Sequence, residues 1–403
     1  MYPHLSGACK GISERYQATQ KFPDRFRTDV GFQFTSSEPQ TLPKIYTLAD
    51  VERVTSSESF AKELTEAVEQ GFVEYSQGKF NACPIQTMGA PPMAQFGAAD
   101  PTEMDTEGDT NKTNTNTNNY AAQTCVKSGY MTGGDYYVVK VASGGYPFPS
   151  NSGLLQIYSQ QTGKLEALLL DDGICTEMRT AAAGAVAAKY LAPQKSQCIG
   201  ILGTGVQARY QLEYLRHVVD CQKVMIWGRD KTKTKKLRDE VNRWKGWEAT
   251  VTSSADWLLE LCSVIITTTS AREVLLGRNR IPTKKLALHI TCIGSDSPGK
   301  MEISTDLIER AELLVADSRG QTQERGEFAT AIASNLVSVD DVVELGELVV
   351  KEELHRSEEF DNRLTIFDSS GVAFQDCVVA QMVFEKLQQE EHEQEQQQKE
   401  QEE

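Results

Sequence analysis

The feature that most constrains the fold is a glycine-rich loop between a short apolar strand and a helix. The loop reads Gly203-Thr204-Gly205-Val206-Gln207-Ala208, and an apolar strand is expected just before it at 197–202. In this spacing the first glycine permits a tight turn, the second lets the backbone approach a pyrophosphate, and the third small residue packs helix on strand. The helix N-terminus adds N–H groups and a favourable dipole. Such a turn can be purely structural, but the strand and helix around it favour a Rossmann-type NAD(H) or NADP(H) site.

Strands and helices alternate along the chain after Pro193. This alternation predicts a doubly wound parallel sheet. The expected strands lie at 198–202, 223–227, 263–267, 286–293 and 312–316, and the expected helices at 206–219, 231–245 and 255–261.

The segments before Pro193 have a different pattern. Turn residues separate short apolar runs, which predicts an antiparallel sheet. Its strands are expected at 136–141, 153–158 and 165–170, between a helix ending near Gly78 and an Ala-rich helix at 176–191. A last strand at 364–367 and a helix at 371–387 are expected near the C-terminus.

Composition excludes several classes of protein. The net charge of −16 argues against a nucleic-acid or anionic-membrane partner, and no apolar run is long enough to span a membrane. The N-terminus lacks the pattern of a secretory signal. Nine cysteines without a C-x-x-C pair indicate free thiols in a reducing compartment and no metal site. We therefore expect a cytoplasmic protein of two or three domains.

Three polar segments are expected outside the folded core. Residues 1–42 form an N-terminal extension, and residues 100–119 form an Asn/Thr-rich insertion. The acidic Gln/Glu-rich tail, 388–403, is either a solvated helix extension or disordered.

The end of the second strand of the alternating region bears on the choice of cofactor. An acidic side chain there would bind the ribose 2′-OH of NAD, but Trp227 or Gly228 fills that position and Asp230 comes one residue late. Arg229 and Lys231 could instead hold a 2′-phosphate, which favours NADP(H). Both can also be ordinary solvated cations, and the register of Asp230 stays open.

Four ordered motifs resemble the ornithine cyclodeaminase/μ-crystallin family between about residues 46 and 387. They are Asp172 to Ala183, Leu202 to Ala208, Ile293 to Glu302, and Phe367 to Gly371 with Gln375-Asp376. The resemblance implies an α/β fold in which a Rossmann domain, 179–360, is inserted in a mixed α+β substrate and dimerisation domain. That domain comprises 43–178 and the returning segment 361–387, and a homodimer is implied. The family's enzymes transfer a hydride between a nicotinamide and the α-carbon of an amino or imino acid.

The resemblance also implies residues that hold the substrate. Lys140 matches the family's substrate lysine, and Arg179 matches a second cation that can grip a carboxylate bidentately. Lys127 is a further candidate for the same pocket. Alternatively, Lys140 is an edge-strand lysine facing water, and Arg179 forms a structural salt bridge. Gln86 is neutral where many members carry Arg, which puts ornithine in doubt as the substrate.

Asp296 follows a strand end in the Rossmann half, and by resemblance it is the acid/base. The alternative role is a helix N-cap. Lys300 and Asp368 are expected as supporting residues. The threonine run after the third strand is expected to line the nicotinamide ribose, although strand propensity alone also explains it. That run comprises Thr267, Thr268 and Thr269.

Three functions remain as hypotheses. The first is an ornithine cyclodeaminase, towards which Asp368 leans, and the second is an imine reductase or amino-acid dehydrogenase. The third is a non-catalytic binding protein, against which the retention of Lys140, Arg179 and Asp296 argues. The sequence does not separate the first two, because the same cations and hydride donor serve both.

Overall fold

The computed structural model describes residues 42–89, 123–144, 151–279, 287–357 and 362–402. The expected extension, apart from Leu42, and the expected insertion lie outside these residues. No helix in the described part of the chain is both long and apolar enough to cross a membrane.

A mixed sheet of seven strands forms first along the chain. Its strand order is β1-β7-β6-β5-β4-β2, and β3 also pairs with β4. Only the β1–β7 pairing is parallel. The strands are β1 (Lys44–Tyr46), β2 (Phe80–Ala82), β3 (Gln86–Met88), β4 (Gln123–Met131), β5 (Tyr136–Gly144), β6 (Asn151–Ser159) and β7 (Leu165–Leu169). The antiparallel sheet predicted from the short apolar runs is therefore present.

Three helices accompany this sheet: α1 (Leu48–Thr55), α2 (Glu58–Ser76) and α3 (Ile174–Leu191). The Ser57 hydroxyl caps α2 by accepting from the backbone N–H of Phe60. The Ala-rich helix α3 is buried on nearly every side, because small side chains let α2 and the next helix, α4 (Val206–Leu215), approach it closely.

An eight-stranded parallel sheet follows, with the order β10-β9-β8-β11-β13-β17-β15-β16. It confirms the predicted doubly wound fold. Its strands are β8 (Ile199–Leu202), β9 (Lys223–Trp227), β10 (Glu248–Val251), β11 (Val264–Thr267), β13 (Leu288–Cys292), β15 (Leu313–Ala316), β16 (Val342–Glu344) and β17 (Leu364–Asp368). Two further strands, β12 (Arg272–Leu276) and β14 (Met301–Ile303), pair with each other. The remaining helices are α5 (Lys231–Val241), α6 (Asp256–Leu261), α7 (Thr305–Arg310), α8 (Phe328–Ala333), α9 (Leu345–Val350) and α10 (Ala373–Glu402).

The last strand lies elsewhere than expected. We expected residues 364–367 in the segment that returns to the first domain, but β17 lies inside the parallel sheet between β13 and β15. Every residue of β17 is buried, as is usual for an interior parallel strand. The chain returns to the first sheet only with α10, which packs against α2, β4 and β5.

Helix α10 continues through the acidic tail as far as Glu402. Of the two alternatives for the tail, the described residues 388–402 form the helix extension. The Lys44 ammonium pairs with Glu391, and the Arg53 Nε donates to Glu390 Oε2 at 3.0 Å. These contacts attach the first turns of the tail to the N-terminal part of the fold.

Candidate functional site

The dinucleotide loop, 203–208, has the geometry that a bound pyrophosphate needs. Gly203 has φ +128°, and a Cβ there would lie 2.4 Å from the Thr268 Oγ1 atom. Beside Gly205, by contrast, a Cβ would meet no atom of the chain within 4 Å. No side chain caps the N-terminus of α4, which begins at Val206. Open space and uncapped N–H groups lie where the loop would cradle phosphates, so the residues present fit a dinucleotide.

The end of β9 fixes the register that the sequence left open between Trp227 and Asp230. The Trp227 carbonyl accepts from the Gly203 N–H at 2.9 Å, so the strand reaches the loop with Trp227 as its last residue. The Asp230 carboxylate accepts from the N–H groups of the next residues and caps α5, and these bonds lower its pKa. Arg229 and Lys231 are exposed beside it. Asp230 is thus engaged as a helix cap, while the two cations remain solvated.

The threonine run after β11 is held by a buried glutamate. The Glu302 carboxylate accepts from the Thr267 hydroxyl and from the Thr269 N–H, each at 2.6 Å, and from the Gly294 N–H at 2.9 Å. The Thr267 hydroxyl is therefore occupied inside the protein, and Thr268 and Thr269 are the half-buried members of the run.

Glu302 belongs to a carboxylate network that also contains Glu327 and Asp368. The Glu327 carboxylate accepts from the backbone N–H of Glu302 at 2.7 Å, and its own N–H donates to Asp368 Oδ1 at 3.0 Å. The Thr322 hydroxyl donates to Asp368 Oδ2 at 2.5 Å. Burial raises the pKa values of Glu302 and of Asp368 to about 7 each. Asp368, expected as a supporting residue, thus lies in an internal network.

The register of β4 and β5 brings two lysines together. Lys127 and Lys140 are directly opposite each other and are only 7% and 3% exposed. The alternative of an edge-strand Lys140 facing water is therefore wrong, because β5 lies between β4 and β6. With Arg179 on α3, these lysines form a cation cluster.

Asp376 on α10 is the carboxylate that the cation cluster contacts directly. Its Oδ1 atom accepts from Lys140 Nζ and from Arg179 Nε, each at 3.0 Å, and all three side chains are at most 5% exposed. Arg179 Nη1 also donates to Gln375 Oε1 at 3.1 Å. The second oxygen of Asp376, Oδ2, and the Gln375 Nε2 atom are buried without a hydrogen-bond partner among the described residues.

Lys127 is bound by the loop between β17 and α10. Its Nζ donates to the carbonyls of Ser370 at 3.1 Å and Gly371 at 2.7 Å. Burial, and then the positive charges of Lys140 and Arg179, lower its pKa to about 8. Gly371 has φ +80°, and a Cβ there would lie 2.6 Å from the Arg179 Nη1 atom. Only glycine lets this loop close over the cation cluster.

Asp296 lies in the turn after β13, with its side chain 59% exposed and bonded to Lys300 Nζ at 2.5 Å. The N-cap alternative is wrong, because residues 297–300 form a turn before β14, and the next helix is capped by Ser304. Among the described residues, no hydrogen bond or ion pair joins Asp296 to the cation cluster. The structure thus groups Lys127, Lys140 and Arg179 tightly and leaves Asp296 with Lys300 at the surface.

Sequence reasoning missed four buried side chains of this region. Asp376 and Gln375 contact the cation cluster, and Glu302 and Glu327 organise the strand ends. The available signal was the motifs themselves, because Gln375-Asp376 and Glu302 fall within two of them. Gln86, the departure from the family's arginine, is exposed on β3. No group of three or more potential metal ligands occurs in the described residues.

Comparison with known proteins identifies relatives over most of the chain. The model of the ornithine cyclodeaminase/mu-crystallin family matches residues 45–391. An uncharacterized cyclodeaminase of Sinorhizobium fredii is 34% identical over 270 residues, which cover 66% of this chain and 80% of that protein. The alanine dehydrogenase of Archaeoglobus fulgidus is 34% identical over 238 residues, covering 59% of this chain and 71% of the relative.

Solved structures show the same fold. An archaeal alanine dehydrogenase dimer with bound NAD superposes with a TM-score of 0.69 at 28% identity, covering 87% of this chain and 97% of the other. The Δ(1)-pyrroline-2-carboxylate reductase of Thermococcus litoralis, in complex with NADH and L-proline, superposes with a TM-score of 0.71 at 24% identity, covering 86% and 98%. With the family model matched from residue 45 to residue 391, this chain belongs to the ornithine cyclodeaminase/mu-crystallin family.

Proposed function

We propose that this chain transfers a hydride between NAD(P)(H) and the α-carbon of an amino or imino acid. The observation that carries the proposal is the buried cation cluster, in which Lys140 and Arg179 share the carboxylate of Asp376 while Lys127 bonds only to backbone carbonyls. Buried charge is costly unless it is balanced, so the excess cations favour an anionic ligand. A substrate α-carboxylate has the required charge, and the guanidinium of Arg179 can hold it with two parallel hydrogen bonds.

The position of the cation cluster also supports this function. The Ser369 N–H donates to the Cys292 carbonyl at the carboxyl end of β13 at 3.0 Å, and two residues later the Gly371 carbonyl accepts from Lys127. The cluster is thereby tied to the edge at which the parallel strands end. Ligands of open α/β sheets bind outside that edge, where the dinucleotide loop also lies.

Each side chain then has a role in the reaction. When bound, the nicotinamide supplies the hydride or accepts it. The cation cluster fixes the carboxylate, and thereby the α-carbon beside it. Asp296, held by Lys300, exchanges a proton with the substrate nitrogen. In the reductive direction the α-carbon gains the hydride and the nitrogen gains the proton, so a C=N bond becomes CH–NH.

We favour net oxidation or reduction over cyclodeamination. A diamino acid brings a second ammonium group, but the one carboxylate bonded to the cation cluster, Asp376, already balances two cations. Gln86 at the position of the family's arginine points the same way. The relatives that are alanine dehydrogenase (34% identical) and iminosuccinate reductase (32% identical) carry out reactions of this class by their names.

Cyclodeamination of ornithine to proline and ammonia is the second candidate. The exposure of Asp296 favours it, because a carboxylate that is 59% exposed is accessible to the second amine of a diamino acid. Internal hydride return would then leave the cofactor unchanged over one turnover.

The test is the redox balance across a substrate panel. We expect stoichiometric consumption of NADPH or NADH with cyclic imino acids, or with 2-oxo acids plus ammonia. Asp296→Asn should lower kcat, and Lys140→Met should raise KM for the carboxylate substrate. Proline and ammonia formed from ornithine with only catalytic cofactor would establish the second candidate instead. An absence of turnover in both assays, together with tight binding of NAD(P)H, would support a binding protein and refute both reactions.

We further propose NADP(H) as the preferred cofactor and a homodimer as the assembly. Arg229 and Lys231 supply the charge for a 2′-phosphate, and Asp230 is engaged in capping α5. The archaeal alanine dehydrogenase with bound NAD is a dimer. Fluorescence titration with both cofactors and light scattering of the eluting protein test the two statements.

A further inference from the structure

Two cysteines meet where strands β8 and β11 of the parallel sheet begin, at the end of these strands opposite the dinucleotide loop. Cys198 immediately precedes β8, and Cys262 lies between α6 and β11. Their Sγ atoms are 3.5 Å apart, although 64 residues separate them in sequence. These two residues are called the thiol pair below.

The backbone holds the thiol pair in place. Strands β8 and β11 are parallel neighbours, and the Ser263 N–H donates to the Cys198 carbonyl at 2.9 Å. Gly200 provides the space, because a Cβ at that position would lie 3.2 Å from the Cys262 Sγ. A side chain there would compete with the sulfur for room, so the sulfur contact depends on this glycine.

The thiol pair is accessible to small molecules. Cys198 is half-buried, whereas Cys262 is buried but lines an open cavity of about 260 Å³. Lys195 and Gln197 are polar members of that lining. The cavity therefore opens on Cys262, and Cys198, which does not line it, is reached through its own partial exposure.

The surroundings also differentiate the two thiols. The hydrogen bond from Cys262 lowers the pKa of the Cys198 thiol below its ordinary value against the opposing effect of burial, and the backbone of Met225 and the charge of Lys223 add to the lowering. The same contact, together with burial, raises the pKa of Cys262. Cys198 is also the more exposed of the two cysteines, so we expect it to react first with a reagent from solvent.

We propose that Cys198 and Cys262 are a peroxide-reactive dithiol that closes reversibly into an intramolecular disulfide. The Cys198 thiolate attacks one oxygen of the peroxide and breaks the O–O bond. This step gives a sulfenic acid on Cys198 and releases hydroxide, which takes up the proton that the Cys198 thiol had lost and becomes water. The Cys262 sulfur then attacks the sulfenic sulfur, forms the S–S bond and expels a second water. Two thiols are oxidised and one peroxide is reduced. A dithiol reductant reverses the change.

This chemistry is independent of the proposed hydride transfer. The thiol pair precedes the strands, whereas the dinucleotide loop and Thr268 follow the same two strands at their carboxyl ends. Oxidation therefore joins the starts of β8 and β11 without touching the residues that would hold the cofactor. Because a cross-link over 64 residues restricts the unfolded chain, the oxidised protein should also melt at a higher temperature.

The experiment uses the full chain, reduced, freed of reductant and treated with hydrogen peroxide. We expect the intact mass to fall by two hydrogens, a peptide map without reduction to contain Cys198 linked to Cys262, and dithiothreitol to restore the thiols. Cys198→Ser and Cys262→Ser should each abolish the cross-link. Cys83→Ser, which removes an exposed cysteine elsewhere, is the matched control and should leave it intact.

A second measurement separates the roles of the two thiols. In Cys262→Ser the sulfenic acid on Cys198 loses the thiol that lies 3.5 Å away, so dimedone should trap it, whereas the wild-type protein should trap little. Addition of oxygen without a cross-link in the wild type, or cross-links between other cysteines, would overturn the proposal. The wild-type map decides the question even if a serine variant fails to fold.

Discussion

Replacement of Asp376 by Asn removes the carboxylate that, among the described residues, bonds directly to the cation cluster. The change keeps the size of the side chain but deletes its charge. Lys140 Nζ and Arg179 Nε, each 3.0 Å from Asp376 Oδ1, would then be buried against a neutral amide. Breaking a buried ion pair by removing one partner costs about 3–5 kcal/mol in free energy of unfolding.

Deprotonation of a lysine limits this cost. Burial and two neighbouring cations already lower the pKa of Lys127 to about 8, and loss of the Asp376 charge should lower the lysine pKa values further. A lysine that loses its proton no longer repels its neighbours, so we expect a loss of about 3 kcal/mol near neutral pH, at the lower end of the range.

The loss should depend on pH in a defined direction. Burial opposes ionisation of Asp376, but its cationic neighbours outweigh this effect and lower its pKa. The stabilisation of the folded state by the Asp376 carboxylate is therefore present above the unfolded-state pKa and is lost as the pH falls. Because the folded-state pKa of Lys127 is lowered, the unfolded chain binds more protons between about 8 and 10.5, and stability rises with pH there. The penalty of Asp376→Asn should therefore be largest near neutral pH and smaller at both extremes.

Urea unfolding followed by tryptophan fluorescence at several pH values measures this profile. Asp220→Asn is the control, because Asp220 is an exposed carboxyl and its loss should change stability by less than about 0.5 kcal/mol. An Asp376→Asn loss below about 1 kcal/mol at neutral pH, or a loss that is constant with pH, would show that the cation cluster does not depend on this carboxylate.

Four further substitutions test the dinucleotide loop and the strand ends beside it. Gly203→Ala should lower the free energy of unfolding by about 2 kcal/mol or more, because its Cβ would collide with Thr268. Gly205→Ala should preserve stability but weaken dinucleotide binding at least about tenfold. If the two variants had equal effects in urea unfolding and in binding titrations, the loop geometry would be contradicted. Burial raises the pKa of Glu302 to about 7, so the folded chain holds a proton that the unfolded chain releases above about pH 4.5. The stability of the wild-type protein should therefore fall as the pH rises from about 4.5 to about 7. Glu302→Gln should flatten that slope in pH-dependent melting curves. Arg229→Ala should weaken NADPH binding at least about tenfold while leaving NADH binding unchanged; equal weakening in titrations of both would contradict a 2′-phosphate contact.

The sequence predicts the parts of the fold that depend on local pattern. The strands β8, β11 and β13 are short apolar runs that are buried throughout, so their alternation with helices was sufficient to indicate the parallel sheet. Strands β10 and β16 are equally short but are only partly buried and contain glutamate, so no apolar run marks them in the sequence. The place of β17 depends on pairing with strands about 50 and 75 residues earlier, on which local pattern carries no information.

The same distinction applies to the candidate site. Lys140 stood out because a lysine among apolar strand residues needs a partner, but that partner, Asp376, is 236 residues away. Glu302 lies in the three-residue strand β14, which the sequence does not distinguish from a polar loop, and only the fold shows it buried against the threonine run. Polar groups become informative when long-range packing removes them from water, and this packing is not encoded in nearby residues.

One short segment joins the two sheets at the candidate site. The Asp368 carboxylate at the end of β17 accepts from the Glu327 N–H, and the next N–H, that of Ser369, donates to the Cys292 carbonyl. The Gly371 carbonyl accepts from the Lys127 ammonium, and the Gly371 backbone packs on Arg179. The distance between the cation cluster and the strand ends is therefore fixed by hydrogen bonds made within four consecutive residues. A substrate held by these cations would be positioned against the cofactor edge by a rigid connection, and this explains why the loop contains a glycine at φ +80° in a buried place.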